Sequence, residues 1–215
     1  MSKTILVTQP NHDLTTNYIS SWAQKVIKIA KKKGVKTAAL KNKRAKKSEF
    51  ISINKKIKPQ LIFLNGHGDY DLVAGQDNEV LVKAGDNERC LSGKITYALS
   101  CRSAKTLGKI SVRHGAKAYL GYNEDFVFNY DVGKKSRPLD DKIGELFLEP
   151  SNLVVSSLLQ GYSAGESWEN SQNDFKKKAI AIITSKDKVM INTYLPNLLW
   201  DIQHQVCLGD KTAAF

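Results

Sequence analysis

Two residues of this chain have side chains that do chemistry together, and the sequence places them alike. His67 stands between two glycines directly after an apolar run, in the stretch LIFLNGHGDY. Cys101 follows a second apolar run, ITYALS, 34 residues further on. A thiol is a weak nucleophile at neutral pH unless a base or a positive field raises its thiolate fraction. An imidazole supplies that base and can then protonate a leaving amine. A helix starting at the cysteine would add the field of its N-terminus. Gly68 exposes a backbone N–H with no side chain in the way, and together with the amide of Cys101 it would hold a developing oxyanion. Each residue also has a plainer use, the cysteine as a small core side chain and the histidine as a turn residue. The joint placement, each at the end of an apolar run with turn or helix signals following, favours the chemical reading.

The elements around them read as an alternation of strands and helices. TILVT (Thr4–Thr8) is a short β-rich run, and Tyr18, Trp22, Val26 and Ile29 then mark one face of a helix that Gly34 ends. VKTAAL is a candidate strand. Phe50, Ile53 and Ile57 mark a second helix, with Ser48 as its N-cap and Pro59 as its stop. LIFLN, ITYALS and KAYLGY are further apolar strands, with a hairpin expected around EVLVKAG and a helix over 103–113. Ala164, Trp168, Ser171, Phe175 and Ile182 form a stripe on a long helix, KAIAIIT either continues that helix or begins a strand, and 189–210 is ambiguous. The expected fold class is α/β, a mostly parallel central sheet with helices on both faces, in a single domain over 1–215. In such a sheet, catalytic groups gather at the carboxyl ends of the strands, where both His67 and Cys101 fall. The loop 129–142 is expected to be mobile or cleavable.

Composition narrows the setting. No apolar run is long enough to span a membrane, and no signal-peptide pattern opens the chain, so no membrane partner is expected. Three widely spaced cysteines, Cys90, Cys101 and Cys207, argue against a disulfide framework and for a cytoplasmic location. Cys90 and Cys207 are read as structural. The net charge of +12 is concentrated: residues 25–58 hold fourteen Lys or Arg against Glu49 alone, a local +13, and the remainder sums to −1. That segment reads either as a solvated helix face or as a surface for nucleic acid or another polyanion. His67, Asp69 and Asp71 alternate, but the flanking glycines suggest a turn and no second histidine lies close in sequence, so no metal and no cofactor are expected. His12, His114 and His204 are read as surface or satisfied core groups.

FLNGHGD followed by YALSCRSAKTLG resembles the His-Gly and small-residue-Cys boxes of the caspase-like cysteine peptidases, the group that includes caspases, gingipains, separase and CHAT domains. The histidine precedes the cysteine, as in that group, and GAKAYLGY resembles the strand that follows. The closing VCLGDKTAAF resembles the Gly-Asp near the end of gingipain-like domains. The likeness is best over 60–125. It implies a caspase-like three-layer sandwich and a cysteine endopeptidase acting through an acyl-enzyme. His67 would be the base and acid, Cys101 the nucleophile, and Gly68 with the Cys101 amide the oxyanion hole. The protein or peptide substrate would be its main partner. The box here is Ser100-Cys101-Arg102-Ser103, and Leu99 occupies the position where several basic-specific relatives carry an acid. Asp69, Asp71, Glu124 and Asp125 are candidates for a pocket that takes a basic P1 side chain. The rival reading is an inactive scaffold of the same fold that binds a regulatory protein or a nucleic acid through 25–58.

Overall fold

The computed structural model describes residues 3–215. Its centre is a six-stranded sheet built from β1 (Thr4–Gln9), β2 (Lys36–Lys41), β3 (Leu61–Asn65), β7 (Ile95–Leu99), β8 (Ala118–Tyr122) and β9 (Gln205–Gly209). The spatial order is β2-β1-β3-β7-β8-β9, parallel throughout except for β9, which runs antiparallel to β8 at the edge. A second, three-stranded antiparallel sheet of β4 (Gly68–Asp69), β5 (Leu72–Ala74) and β6 (Val80–Lys83) grows out of the turn after β3.

The central strands are buried on both faces, which explains why their sequences are continuously apolar rather than alternating. Alternate residues nonetheless divide between two cores. Ile5, Val7, Leu61, Phe63, Tyr97 and Leu120 face α1 (Leu14–Lys32) and α4 (Lys142–Gln160). Leu6, Ile62, Leu64, Ala98 and Tyr119 face α2 (Lys47–Ile57), the small sheet and the segment that leads into α3 (Lys109–Arg113). Helix α1 forms because its apolar positions recur at helical spacing and Asp13 caps it, accepting from the Thr16 amide in a capping box. It buries Tyr18, Ile19, Trp22, Val26 and Ile27, each large side chain stabilising by about 1.5–3 kcal/mol. The result is three layers.

One expectation needs correction, and two open readings resolve. Ser48 lies inside α2 rather than at its cap, because Lys46 is the extended residue that precedes the helix. The free amide of Lys47 donates instead to the Glu79 carboxylate, a cap supplied from elsewhere in the fold that no local pattern announces. KAIAIIT is helical, within α5 (Ala164–Ser185). Ala179 and Ile182 turn inward while Ile180 and Ile183 stay exposed, so the spacing is helical and the run of β-branched residues misleads. The ambiguous tail resolves into a wide turn at Met190–Tyr194, helix α6 (Leu195–His204) and the edge strand β9. Within 129–142, Val132 is exposed, but the far end is tied down. Asp141 is fully buried and accepts from the Tyr18 hydroxyl, the Asp131 amide and the first amides of α4, and Trp22 Nε1 donates to the Pro138 carbonyl.

Candidate active site

Four neighbouring parallel strands deliver their carboxyl ends to one rim of the sheet. In spatial order, β1 leads to Asp13, β3 to His67, β7 to Cys101, and β8 to the segment 123–128. Strands β3 and β7 are in register, with Asn65 opposite Leu99, so His67 and Cys101 each lie two residues beyond a paired position. The contact continues past the strands. A Cβ added to Gly68 would lie 2.4 Å from the Cys101 carbonyl oxygen and 3.1 Å from its nitrogen. Glycine is required here because two backbones touch, and the peptides of Gly68 and Cys101 form one wall.

His67 is oriented by a group that the sequence reading missed. Its Nε2 lies 2.6 Å from Asp13 Oδ2. The other carboxylate oxygen, Oδ1, accepts from the Thr16 amide at 2.7 Å and the Thr16 hydroxyl at 2.8 Å. Burial opposes ionisation of Asp13, but these hydrogen bonds from Thr16 and His67 outweigh it and hold the carboxyl at about 2. A carboxylate on Nε2 fixes the ring and makes Nδ1 the nitrogen with the free lone pair. The signal was present in the sequence: QPNHD follows the first strand, so Asp13 occupies the same kind of strand end as His67. His12 also departs from expectation. It is neither a free surface group nor a satisfied core one, for its Nε2 lies 3.6 Å from Asp13 Oδ2 while its Nδ1 is buried without a hydrogen-bond partner.

Cys101 is partly buried, and its Sγ faces the Phe126 carbonyl at 3.9 Å. Burial pushes its thiol up to about 11, and the nearby Asp125 carboxylate adds to the effect. The expected help from a helix N-terminus is absent, because Arg102 takes a left-handed conformation (φ 56°) and the helical segment begins only at Ala104. That conformation, uncommon for a residue with a side chain, turns the chain sharply just after the sulfur. The turn is held from below, where Ser100 and Ser103 share a hydroxyl hydrogen bond at 2.8 Å and Tyr119 donates to Ser103 at 3.0 Å. It is held from the side by the Arg102 amide donating to the Glu124 carbonyl at 3.0 Å. Cys101 at rest is therefore a neutral thiol on the same rim of the sheet as a histidine whose orientation is set.

Three of the four candidate pocket acids meet this turn, Asp71 sits apart on the small sheet's side, and each of the four already faces a cation. Asp125 binds Arg102 at 2.6 Å, Asp69 lies 3.9 Å from the same guanidinium, Glu124 binds Lys105 at 2.5 Å, and Asp71 lies 3.6 Å from Lys83. Tyr70 lies under both Arg102 and Lys105, and its carbonyl accepts from the amides of Thr106 and Leu107. Asp69 and Asp125 together leave one negative charge in excess of Arg102.

The strand order, the antiparallel edge strand and the helices on both faces define a caspase-like α/β fold. The chain is similar in structure to gingipain R, an Arg-specific cysteine proteinase known from a crystal structure, with a TM-score of 0.63 and 8% sequence identity. The match covers 99% of this chain and 47% of that one, so the chain spans about half the length of the protein it resembles. At this identity the likeness is one of fold. No family model matches the chain, and neither does any curated protein sequence.

Proposed function

We propose that the protein is a cysteine endopeptidase in which Cys101 is the nucleophile, His67 the base and acid, and Asp13 the positioning carboxylate. The observation that carries this reading is the convergence of Asp13, His67 and Cys101 at adjacent strand ends, with the Gly68 and Cys101 peptides packed together. With its thiol near 11, Cys101 is protonated at neutral pH, so deprotonation accompanies attack rather than preceding it. Sγ adds to the substrate carbonyl as its proton passes to His67 Nδ1. The oxyanion is met by the amides of Gly68 and Cys101. The imidazolium then gives its proton to the departing amine, leaving a thioester. Water, deprotonated by His67, hydrolyses that ester and restores the thiol.

For specificity, the excess negative charge around Arg102 supports a basic P1 residue, held by Asp69 and Asp125 in competition with Arg102. A peptide library digested by the wild type and by Cys101→Ala tests both points. Cleavage after Lys or Arg, lost in the variant, is the expected result. Equal cleavage by both forms rejects the reading, and cleavage with no preference for a basic P1 rejects the pocket.

A second reading has its own support. A groove of about 800 Å³ beside α2 is lined by Lys47, Lys55, Lys58, Arg89 and Lys94, away from the dyad. This surface would suit a polyanionic partner, whether the chain is an enzyme or a scaffold, and binding would then weaken steeply with salt. A salt slope near zero removes it.

A further inference from the structure

The catalytic account uses Asp13 and His67 and leaves His12 unexplained. Its side chain is only 11% exposed. Its Nδ1 is buried without a hydrogen-bond partner, which is unfavourable. The other nitrogen looks onto the catalytic pair. His12 Nε2 lies 3.6 Å and His67 Nε2 lies 2.6 Å from the same oxygen of Asp13. The two rings meet edge to face, with centroids 5.8 Å apart. One ligand atom from each of the three residues falls within 4.8 Å of the others. In a tetrahedral site with metal–ligand distances of about 2.0–2.2 Å, neighbouring ligand atoms stand about 3.3 Å apart, and the observed spacings bracket that value.

From this geometry we infer that His12, Asp13 and His67 form a site for a divalent transition metal that shuts the dyad off. Two imidazoles and a carboxylate are a donor set for zinc or its neighbours rather than for calcium or magnesium, which prefer oxygen. Asn78 Oδ1 lies 3.3 Å from His12 Nε2, on a turn where Asp77 and Asn78 are both left-handed. A metal on His67 Nε2 takes the place of the proton shared with Asp13. The coordinated ring then carries its one hydrogen on Nδ1, which is left with no lone pair to take the proton of Cys101. The metal site stands on geometry alone, whereas the inhibition rests on the peptidase reading.

The test separates the two. Chelator-treated Cys101→Ala is titrated with cobalt(II), whose visible absorption reports tetrahedral coordination and whose near-ultraviolet absorption reports thiolate ligands. The expected result is one tetrahedral cobalt per chain without a thiolate band. In the Cys101→Ala background, both His12→Ala and His12→Gln should weaken binding at least about tenfold. Binding equal to the parent in both His12 variants, or none in Cys101→Ala, overturns the site. Separately, zinc should slow alkylation of Cys101 in the otherwise unaltered protein and leave it unslowed in the His12 variants. Unslowed alkylation with cobalt and zinc bound overturns the inhibition while the site stands. Metal binding as expected in a protein that cleaves no peptide supports the site and rejects the peptidase reading instead.

Discussion

The rim where β1, β3, β7 and β8 end and the lysine-rich flank formed by α1, β2 and α2 treat charge in opposite ways. At the rim, Asp13, Asp69, Asp71, Glu124 and Asp125 all face cationic or imidazole partners, and the backbone is bent and braced by buried hydroxyls. On the flank, of fourteen cations only Arg44 and Lys47 meet a carboxylate within 4 Å among the described residues. The most conspicuous feature of the composition is thus the least organised in space. The groups able to react are a few ordinary residues that topology brings together. Charge density marks where a partner would be attracted, whereas converging strand ends mark where bonds would be made.

Breaking the rim has the largest expected effect. Replacing His67 with alanine should lower peptide cleavage by about 10²–10⁴-fold, the usual contribution of a positioned general base. Cleavage within a factor of a few of wild type would remove His67 from the chemistry. Asp13 has two duties that substitutions can separate. Asn keeps the cap on α1 but replaces the carboxylate that accepts from His67 Nε2 with an uncharged amide, so Asp13→Asn should lose cleavage while melting near the wild-type temperature. Asp13→Ala should also lose about 0.5–2 kcal/mol of stability through the missing cap. Equal activity in wild type and Asp13→Asn would reduce Asp13 to a helix cap.

Gly68→Ala tests the shared wall. Its methyl would meet the Cys101 carbonyl, so a cost of about 1–3 kcal/mol from overpacking is expected, together with reduced cleavage. The flank supplies the contrast and the smallest effect. Lys55→Ala with Lys56→Ala should change stability by less than about 0.5 kcal/mol and leave cleavage unaltered. A fall in cleavage with these substitutions would erase the distinction between the two regions.

The resting state gives a pH signature. Because burial holds the Cys101 thiol near 11, its alkylation by a small neutral reagent should keep rising with pH, about tenfold per unit, well above neutrality. A plateau below pH 8 would reveal a preformed thiolate–imidazolium pair instead. Asp13 does not contribute to any acid limb in the moderately acidic range. Its carboxyl is depressed, so its stabilising contribution is complete above its ordinary value of 3.8 and is lost only as pH falls through about 2.

Much of this was legible in the sequence. LIFLN and ITYALS announced buried parallel strands, and the rule that sites form at carboxyl strand ends put His67 and Cys101 on the same rim. The same rule, applied to the first strand, would have reached Asp13 and His12, since both follow TILVTQ within a few residues. Other features were out of reach because they depend on pairings far apart in the chain. Nothing near Lys47 shows that Glu79 caps α2, and nothing near Asp125 shows that Arg102 holds it. The left-handed Arg102 was equally hidden, for glycine and not arginine is the residue that signals such a turn.

The central claim is that the imidazole and the thiol act as one unit on a peptide carbonyl. A peptidyl reagent with a carbonyl-adjacent leaving group, mapped by mass spectrometry in wild type, His67→Ala and Cys101→Ala, addresses it directly. The account predicts label on Cys101 in the wild type, far slower labelling without His67, and none at that position in Cys101→Ala. Label that forms as fast without His67, or that settles on Cys90 or Cys207 in preference to Cys101, would contradict it.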